Sequence, residues 1–445
     1  MVTPSGQAVT VGELDAMADR VATAVREARL PPGSPALLAG PNGAAFVAAW
    51  IGLRRAGLPV VLVDRRTPVP ERHRVASRLG AGAELVLTDP WELPRDAAVR
   101  PLPGGRPLER PEVASIRLTS GSTGEPQGIA HTAEALATDD ADLARSMALV
   151  DDERILAAVP LSHAYGFASV LLPVLMRTST MVVPDDDGPL AAMRAVGDAG
   201  VTFLPTVPAY LQSVLKMATP PPLPATVRLV VTAGAPLHPA TAVRFRETYG
   251  RGIHVFYGAS EVGGITFDRT GTAGERGTLG EPVHGVDVRL VGEDESGGVV
   301  EVRSPAAALG YVPEASPALV DGVFRTSDLG VWRDGELALT GRVDDLLNVR
   351  GKKVNPREVE AVLAAYDGID EVVVVGDRDL AGGGHLVRAV VARTNAALDP
   401  AALRTWCADR LAPHKVPRSF VLVDRIPRTE RGKIDREALR RLAGR

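Results

Sequence analysis

Along most of this chain, short apolar runs of strand length alternate with stretches of helical spacing. Residues 11–30 carry apolar side chains at helical intervals and stop at Pro31-Pro32-Gly33. A strand-like run at 36–40 follows, then a turn at Pro41-Asn42-Gly43, a helical stretch at 46–57 and a strand-like Leu58 to Asp64. Further apolar runs lie at 84–89, 180–185, 201–206, 227–236 and 253–260. Such alternation predicts an α/β fold built on largely parallel sheets.

The texture changes near residue 265. From about 265 to 341 the segments are short, β-rich and joined by Gly and Asp turns. Strand and helix patterns then resume: a helix after Pro356, strands at 371–377 and 385–393, and a helix from Asp399 to Leu411. We expect a large N-terminal domain over 1–343 that includes a β-rich subdomain. A small α+β domain over 344–445 follows, joined at a hinge around Asp344.

Composition removes several alternatives. Basic and acidic residues number 50 and 54 for a net charge of −4, which gives no electrostatic reason to expect nucleic acid or an anionic membrane surface as partner. One cysteine, Cys407, excludes an intramolecular disulfide framework and a cysteine-built zinc site. The N-terminus lacks the basic-then-apolar layout of a signal peptide. The uncharged stretches Ala36–Leu53 and Ile155–Met176 are broken by Pro41-Asn42-Gly43 and by Pro160, His163 and Pro173. They read as core segments, not membrane spans, and a cytoplasmic location is expected. Only five basic residues are lysines (Lys216, Lys352, Lys353, Lys415 and Lys433), so a lysine among arginines invites explanation.

The sharpest local signal is the decapeptide Thr119-Ser120-Gly121-Ser122-Thr123-Gly124-Glu125-Pro126-Gln127-Gly128. Its hydroxyls and glycines cannot build a core, but they can wrap N–H and O–H donors around a polyphosphate. A flexible surface loop is the other reading. It is not a Walker loop, because no Gly-Lys-Ser/Thr follows, and a P-loop phosphotransferase is set aside.

The decapeptide resembles the phosphate loop of the adenylate-forming superfamily, which includes acyl- and aryl-CoA synthetases, peptide-synthetase adenylation domains and luciferases. Four more segments fall in that family's order: Tyr257-Gly258-Ala259-Ser260-Glu261, Thr326-Ser327-Asp328-Leu329-Gly330, Gly341-Arg342-Val343-Asp344-Asp345, and Pro427 through Ile434 around Lys433. The resemblance runs from residue 9 to the end and is nearest the acyl/aryl-CoA ligase branch.

It implies an ATP site made of Thr119, Ser120, Gly121, Ser122, Thr123, Gly124, Gly234, Ala235, Pro236, Tyr257, Gly258, Glu261, Asp328, Arg342 and Lys433. Asp328 offers two oxygens to the ribose hydroxyls, although a turn Asp is common in such a sequence. Tyr257 has a flat face for adenine or for core packing. Glu261 is a hard ligand suited to Mg²⁺, or a surface acid. Arg342 is a fixed fork of donors for ribose or phosphate. Lys433, a compact charge kept among Arg428, Arg431 and Arg436, suits charge developing between carboxylate and α-phosphate. With Lys433, the resemblance makes Glu261 and His163 the catalytic candidates, while a core histidine competes for His163. His163, Phe167, Thr206 and Gly258 are candidate pocket residues, and Gly351 lines the thiol approach.

Two departures stand out. Gln127 replaces the loop lysine usual in that family, and the chain starts abruptly at its first helix. No acid occurs between Arg154 and Asp185, where peptide-synthetase domains place the partner of an α-ammonium, so an α-amino acid substrate is disfavoured. The expected activity is ATP- and Mg²⁺-dependent conversion of a carboxylic acid to acyl-AMP, with transfer to a pantetheine thiol of CoA or a carrier protein. A loading enzyme specific for a carrier protein is the narrower alternative. A non-catalytic adenylate or acyl binder is the alternative of another class.

Overall fold

The computed structural model describes residues 1–94, 97, 99–120, 126–186, 188, 190–294, 297–349, 352–378, 385–393, 398–428 and 434–443. The chain forms two compact units, residues 1–288, 301–325 and 333–337 in the first and 289–300, 326–332 and 338–445 in the second.

The first unit holds two seven-stranded sheets. In one, Ala36–Ala39, Val60–Leu62, Ala83–Val86 and Val113–Ser120 run parallel. In the other, Thr180–Val182, Arg154–Leu156, Phe203–Thr206, Leu229–Thr232 and His254–Ala259 do so. The edges are antiparallel: Pro126–Thr132 returns on Val113–Ser120, and Gly263–Phe267 returns on His254–Ala259. The reason is length, since a connection of a few residues closes a hairpin while a parallel return needs a dozen or more.

The central strands are buried on both faces, as their unbroken apolar sequences require. The helix Ala44–Arg55 is buried on almost every side, including Ala44, Ala45, Ala48 and Ala49. It shares one apolar cluster with Leu38 and Val60 of the first sheet and Ile155, Phe203 and Val231 of the second. Small side chains let backbone come close there: a Cβ on Gly52 would lie 2.5 Å from the Ala18 carbonyl. The helix Val11–Glu27 starts at a capping box between Thr10 and Glu13.

The uncharged stretches of the sequence resolve into core elements. Ala36–Leu53 becomes a strand and most of a helix, and Ile155–Met176 becomes a strand end followed by a helix containing a π-helical turn at Phe167–Leu171. No helix among the described residues is long and apolar enough to cross a membrane.

In the second unit, Ile369–Arg378, His385–Arg393 and Ser419–Val423 form a three-stranded sheet. Alternation along the strand sends Val374 into a cluster with Val359, Leu363, Leu403 and Cys407, and Val373 and Val375 into another with Leu439. Helices therefore cover both faces. The β-rich segment from Asp287 to Arg342 contributes strands to both units. The α/β expectation holds, with a small sheet-and-helix body at the C-terminal end.

Candidate active site

In the first unit, the expected site residues lie where parallel strands end, the usual position of ligand sites in α/β sheets. Thr119 closes Val113–Ser120, Thr206 closes Phe203–Thr206, and Gly234, Ala235 and Pro236 follow Leu229–Thr232. Tyr257 and Gly258 close His254–Ala259, with Glu261 in the turn beyond. Gly234 has φ +81° and open space within 4 Å of where a Cβ would stand, so a flat ligand can approach its backbone.

Antiparallel register organises the two strands that flank the candidate phosphate loop. Ser115 faces His131, Arg117 faces Ile129 and Thr119 faces Gln127, while Tyr311 of Gly310–Val312 also pairs with Ile129. Period-two alternation puts Arg117, Thr119, Gln127, His131 and Tyr311 on one face of these strands. Gly121, Ser122, Thr123 and Gly124, with Gly351 and Lys433, lie outside the described residues, as does the side chain of Ser120.

Glu261 is held from several sides. The Tyr311 hydroxyl donates to its Oε1 at 2.7 Å, and its backbone carbonyl accepts from the Ala308 N–H at 2.8 Å. Burial first, and then the Glu261 carboxylate, push the Tyr311 phenol well above its ordinary range, so it remains a donor. Beneath the turn, Asp139 Oδ1 accepts the Gly264 N–H at 3.0 Å. A Cβ on Gly263 would collide with that carboxylate, and its φ of +74° suits glycine alone. Burial raises the Asp139 carboxyl to about 6, against the pull of Arg117 and the Gly264 N–H.

The segment leading to His163 is fixed by residues from the first sheet. Asn42 Nδ2 donates to the carbonyls of Ala157 at 2.7 Å and Val159 at 2.9 Å, while its Oδ1 accepts the Leu161 N–H at 2.9 Å. His163 Nε2 lies 2.9 Å from Asp64 Oδ2. Burial alone would raise the Asp64 carboxyl. The His163 hydrogen bond, the Arg66 backbone N–H and the Arg66 guanidinium together hold it below its usual range. The pocket segment itself carries no acid, yet folding brings Asp64 to it, already engaged by His163 and Arg66.

Phe167 is fully buried, its ring 6.1 Å from that of Trp50 and 5.6 Å from the Arg117 guanidinium carbon. Thr206 is buried too, at 3% exposure, whereas Gly258 is exposed. Gly166 approaches the Pro160 carbonyl so closely that a Cβ would overlap it.

In the second unit, Asp328, Arg342 and Asp344 come together. Arg342 Nη1 lies 3.3 Å from Asp328 Oδ1, and its Nη2 lies 3.8 Å from Asp344 Oδ2. The Asp328 N–H donates to Thr326 Oγ1 at 2.9 Å, which fixes the turn that presents the carboxylate. Asp344 sits in a single 3₁₀ turn, Val343–Asp345.

Asn42, Asp64, Arg117 and Tyr311 were not legible as site residues from sequence. The one available signal was an acid or amide within three residues of the end of a buried strand, which Asp64 and Asn42 both satisfy.

The AMP-binding enzyme family model matches residues 1–312, and the AMP-binding enzyme C-terminal domain model matches 358–433. The chain belongs to the AMP-binding enzyme family. It is 31% identical to the feruloyl-CoA synthase of an Amycolatopsis species, over 100% of this chain and 96% of that one. It is 30% identical to the p-hydroxybenzoic acid–AMP ligase FadD22 of Mycobacterium tuberculosis, over 97% of this chain and 65% of that protein. The amide bond synthetase McbA from Marinactinospora thermotolerans superposes with a TM-score of 0.83 at 27% identity, covering 99% of this chain and 96% of the other. The protein is an AMP-forming carboxylate–thiol ligase: it activates a carboxylic acid with ATP and passes the acyl group to a thiol.

Proposed function

We propose that this ligase acts on an aryl or aryl-alkenoic acid and hands the acyl group to CoA. The position of Thr119, Gly234 and Glu261 at or just beyond the ends of parallel strands supports this reading. A substrate carboxylate oxygen attacks the α-phosphorus of ATP, and the bond to the bridging oxygen of pyrophosphate breaks. The thiol sulfur then attacks the acyl carbon and AMP leaves. Thr119 and its loop bind the phosphates, Gly234 and Tyr257 the adenine, and Asp328 with Arg342 the ribose. Lys433 steadies the adenylation transition state. The similarity to a feruloyl-CoA synthase supports an aryl substrate. So does Asp64, the carboxylate that meets the pocket segment at His163 and is already paired there.

Glu261 offers the hard oxygen that Mg²⁺ prefers. Among the described residues no group of three or more His, Cys, Asp or Glu surrounds a common point. That donor set fits an ion held chiefly by phosphate oxygens and water, with Glu261 as its protein ligand; Mg²⁺ there supplies charge neutralisation of the polyphosphate. Residues 344–445 reorient about Asp344 between half-reactions, which lets one chain serve two geometries. The long Arg342–Asp344 ion pair, exposed on both sides, is weak enough to be remade. A cytoplasmic location, where ATP and CoA are both supplied, is part of the same reading.

A pyrophosphate-release screen across aryl, short-chain, long-chain and amino acids, followed by acceptor trials, tests this. Aryl acids with CoA should give thioester and AMP. Turnover confined to amino acids would overturn the substrate class, and transfer only to a carrier protein or an amine would overturn the acceptor.

A further inference from the structure

Arg117 is 3% exposed, and burial lowers its affinity for its proton, a sign of how unfavourable this position is for a charge. Its Nη2 lies 2.8 Å from His131 Nε2, and burial and then Arg117 push that imidazole well below its ordinary range. His131 is therefore neutral, and its hydrogen bond to the Ser260 backbone reaches the residue before Glu261. Arg117 also stands over the Phe167 ring, yet among the described residues it makes no ion pair, and its Nε and Asp139 Oδ2 have no hydrogen-bond partner. The charges of Asp139 and Glu261 act on it from further away.

A buried guanidinium without a contacting carboxylate is costly, and the more distant charges of Asp139 and Glu261 offset only part of that cost. Its location gives that charge a use. From Val113 to Thr132, Arg117 is the only Lys or Arg in the chain, in the hairpin that presents the phosphate loop. It shares a strand face with Thr119, two residues before the loop, and with Gln127. A polyphosphate bound there brings several negative charges to a hairpin with one cation.

We propose that Arg117 is a positioning residue for adenylation: a buried cation beside His131, on the strand face that leads to the phosphate loop, that favours bound polyphosphate. This rests on the assignment of the phosphate loop and Glu261 given above. Charge in a low-dielectric interior acts over longer distances than in water, and being fixed it needs no reorganisation during reaction. Asp139 offsets part of it. The two residues therefore have opposite electrostatic effects on ATP, although both belong to the same buried cluster.

That opposition is the test. ATP–pyrophosphate exchange, thiol transfer from chemically prepared acyl-adenylate, and urea unfolding are measured for wild type, Arg117→Met, Asp139→Asn and the double variant. Arg117→Met should lower kcat/KM for ATP by about tenfold or more and leave thiol transfer near normal. Asp139→Asn, which keeps the acceptor for Gly264 N–H, should hold or raise kcat/KM for ATP. The double variant has neither charge in its core and should stay at the low Arg117→Met value while recovering stability. It also provides the answer if Arg117→Met does not fold. Parallel losses in both single variants that track stability would overturn the proposal in favour of a packing role. So would wild-type kcat/KM in the double variant. Wild-type exchange with an intact acid dependence keeps the site assignment standing in either case. A wild type that exchanges with no acid would remove that assignment and this inference together.

Discussion

Replacing Asn42 tests whether the first sheet sets the geometry of the acyl pocket. Its carboxamide makes three hydrogen bonds to the 157–161 backbone, all between 2.7 and 2.9 Å. Each such bond contributes a net ~0.5–1.5 kcal/mol, and a partly buried group can recover some of that from water. Asn42→Ala should therefore destabilise the first unit by about 2–4 kcal/mol, readable as a lower urea midpoint at unchanged slope. The freed backbone leads directly to His163. The KM for the acid should rise about tenfold, the equivalent of ~1.4 kcal/mol, while the KM for ATP stays put. Asn42→Asp sharpens the test. It keeps an acceptor for the Leu161 N–H but sets an oxygen against the carbonyls of Ala157 and Val159. At neutral pH it should be at least as damaging as alanine, with partial recovery in acid once the new carboxyl can donate. A wild-type-like Asn42→Asp, or an Asn42→Ala with unchanged acid KM, would refute the reasoning.

Asp64→Asn should remove a pH-dependent part of stability. The folded carboxyl sits below its usual range, so its contribution is full above the unfolded value of about 3.9 and fades as pH falls through the folded one. Stability curves of variant and wild type should converge below about pH 4, and a constant gap down to the lowest pH would contradict the His163 pairing. Asp328→Ala should raise the KM for ATP about tenfold or more at under ~1 kcal/mol of stability, since its partner Arg342 is 44% exposed. Unchanged nucleotide KM with marked destabilisation would make it a turn residue. Lys433→Ala should cut adenylation by about a hundredfold and spare transfer from pre-formed acyl-adenylate, whereas equal loss of both would remove its half-reaction role.

The candidate site residues offered by the sequence were those encoded locally. Thr119, Tyr257, Glu261 and Asp328 stand in short segments whose composition already excludes a packing role or whose order matches a family. Their partners were hidden by distance along the chain: 99 residues separate Asp64 from His163, and 50 separate Glu261 from Tyr311. Strand–helix alternation announces that parallel strands exist, but not which strand ends share a crevice. Arg117 was hidden differently, because one arginine among so many reads as surface until register and burial place it inside. Burial of Phe167 was equally unreadable, since a single apolar residue in a helix does not say which neighbours close over it.

The alanine-lined helix at Ala44–Arg55 has a consequence for the specificity of this enzyme. Its side chains act as a spacer gauge between two sheets whose strand ends carry the proposed recognition groups. Widening that gauge by one methyl group, far from any substrate atom, would splay Asn42 and Asp64 away from the loop they grip. Descendants of this scaffold can therefore change their preferred acid by two routes: new side chains in the crevice wall, or altered thickness of the layer behind it. The second would leave every recognised motif intact while changing what the pocket admits, so chains alike in motif can differ in diet.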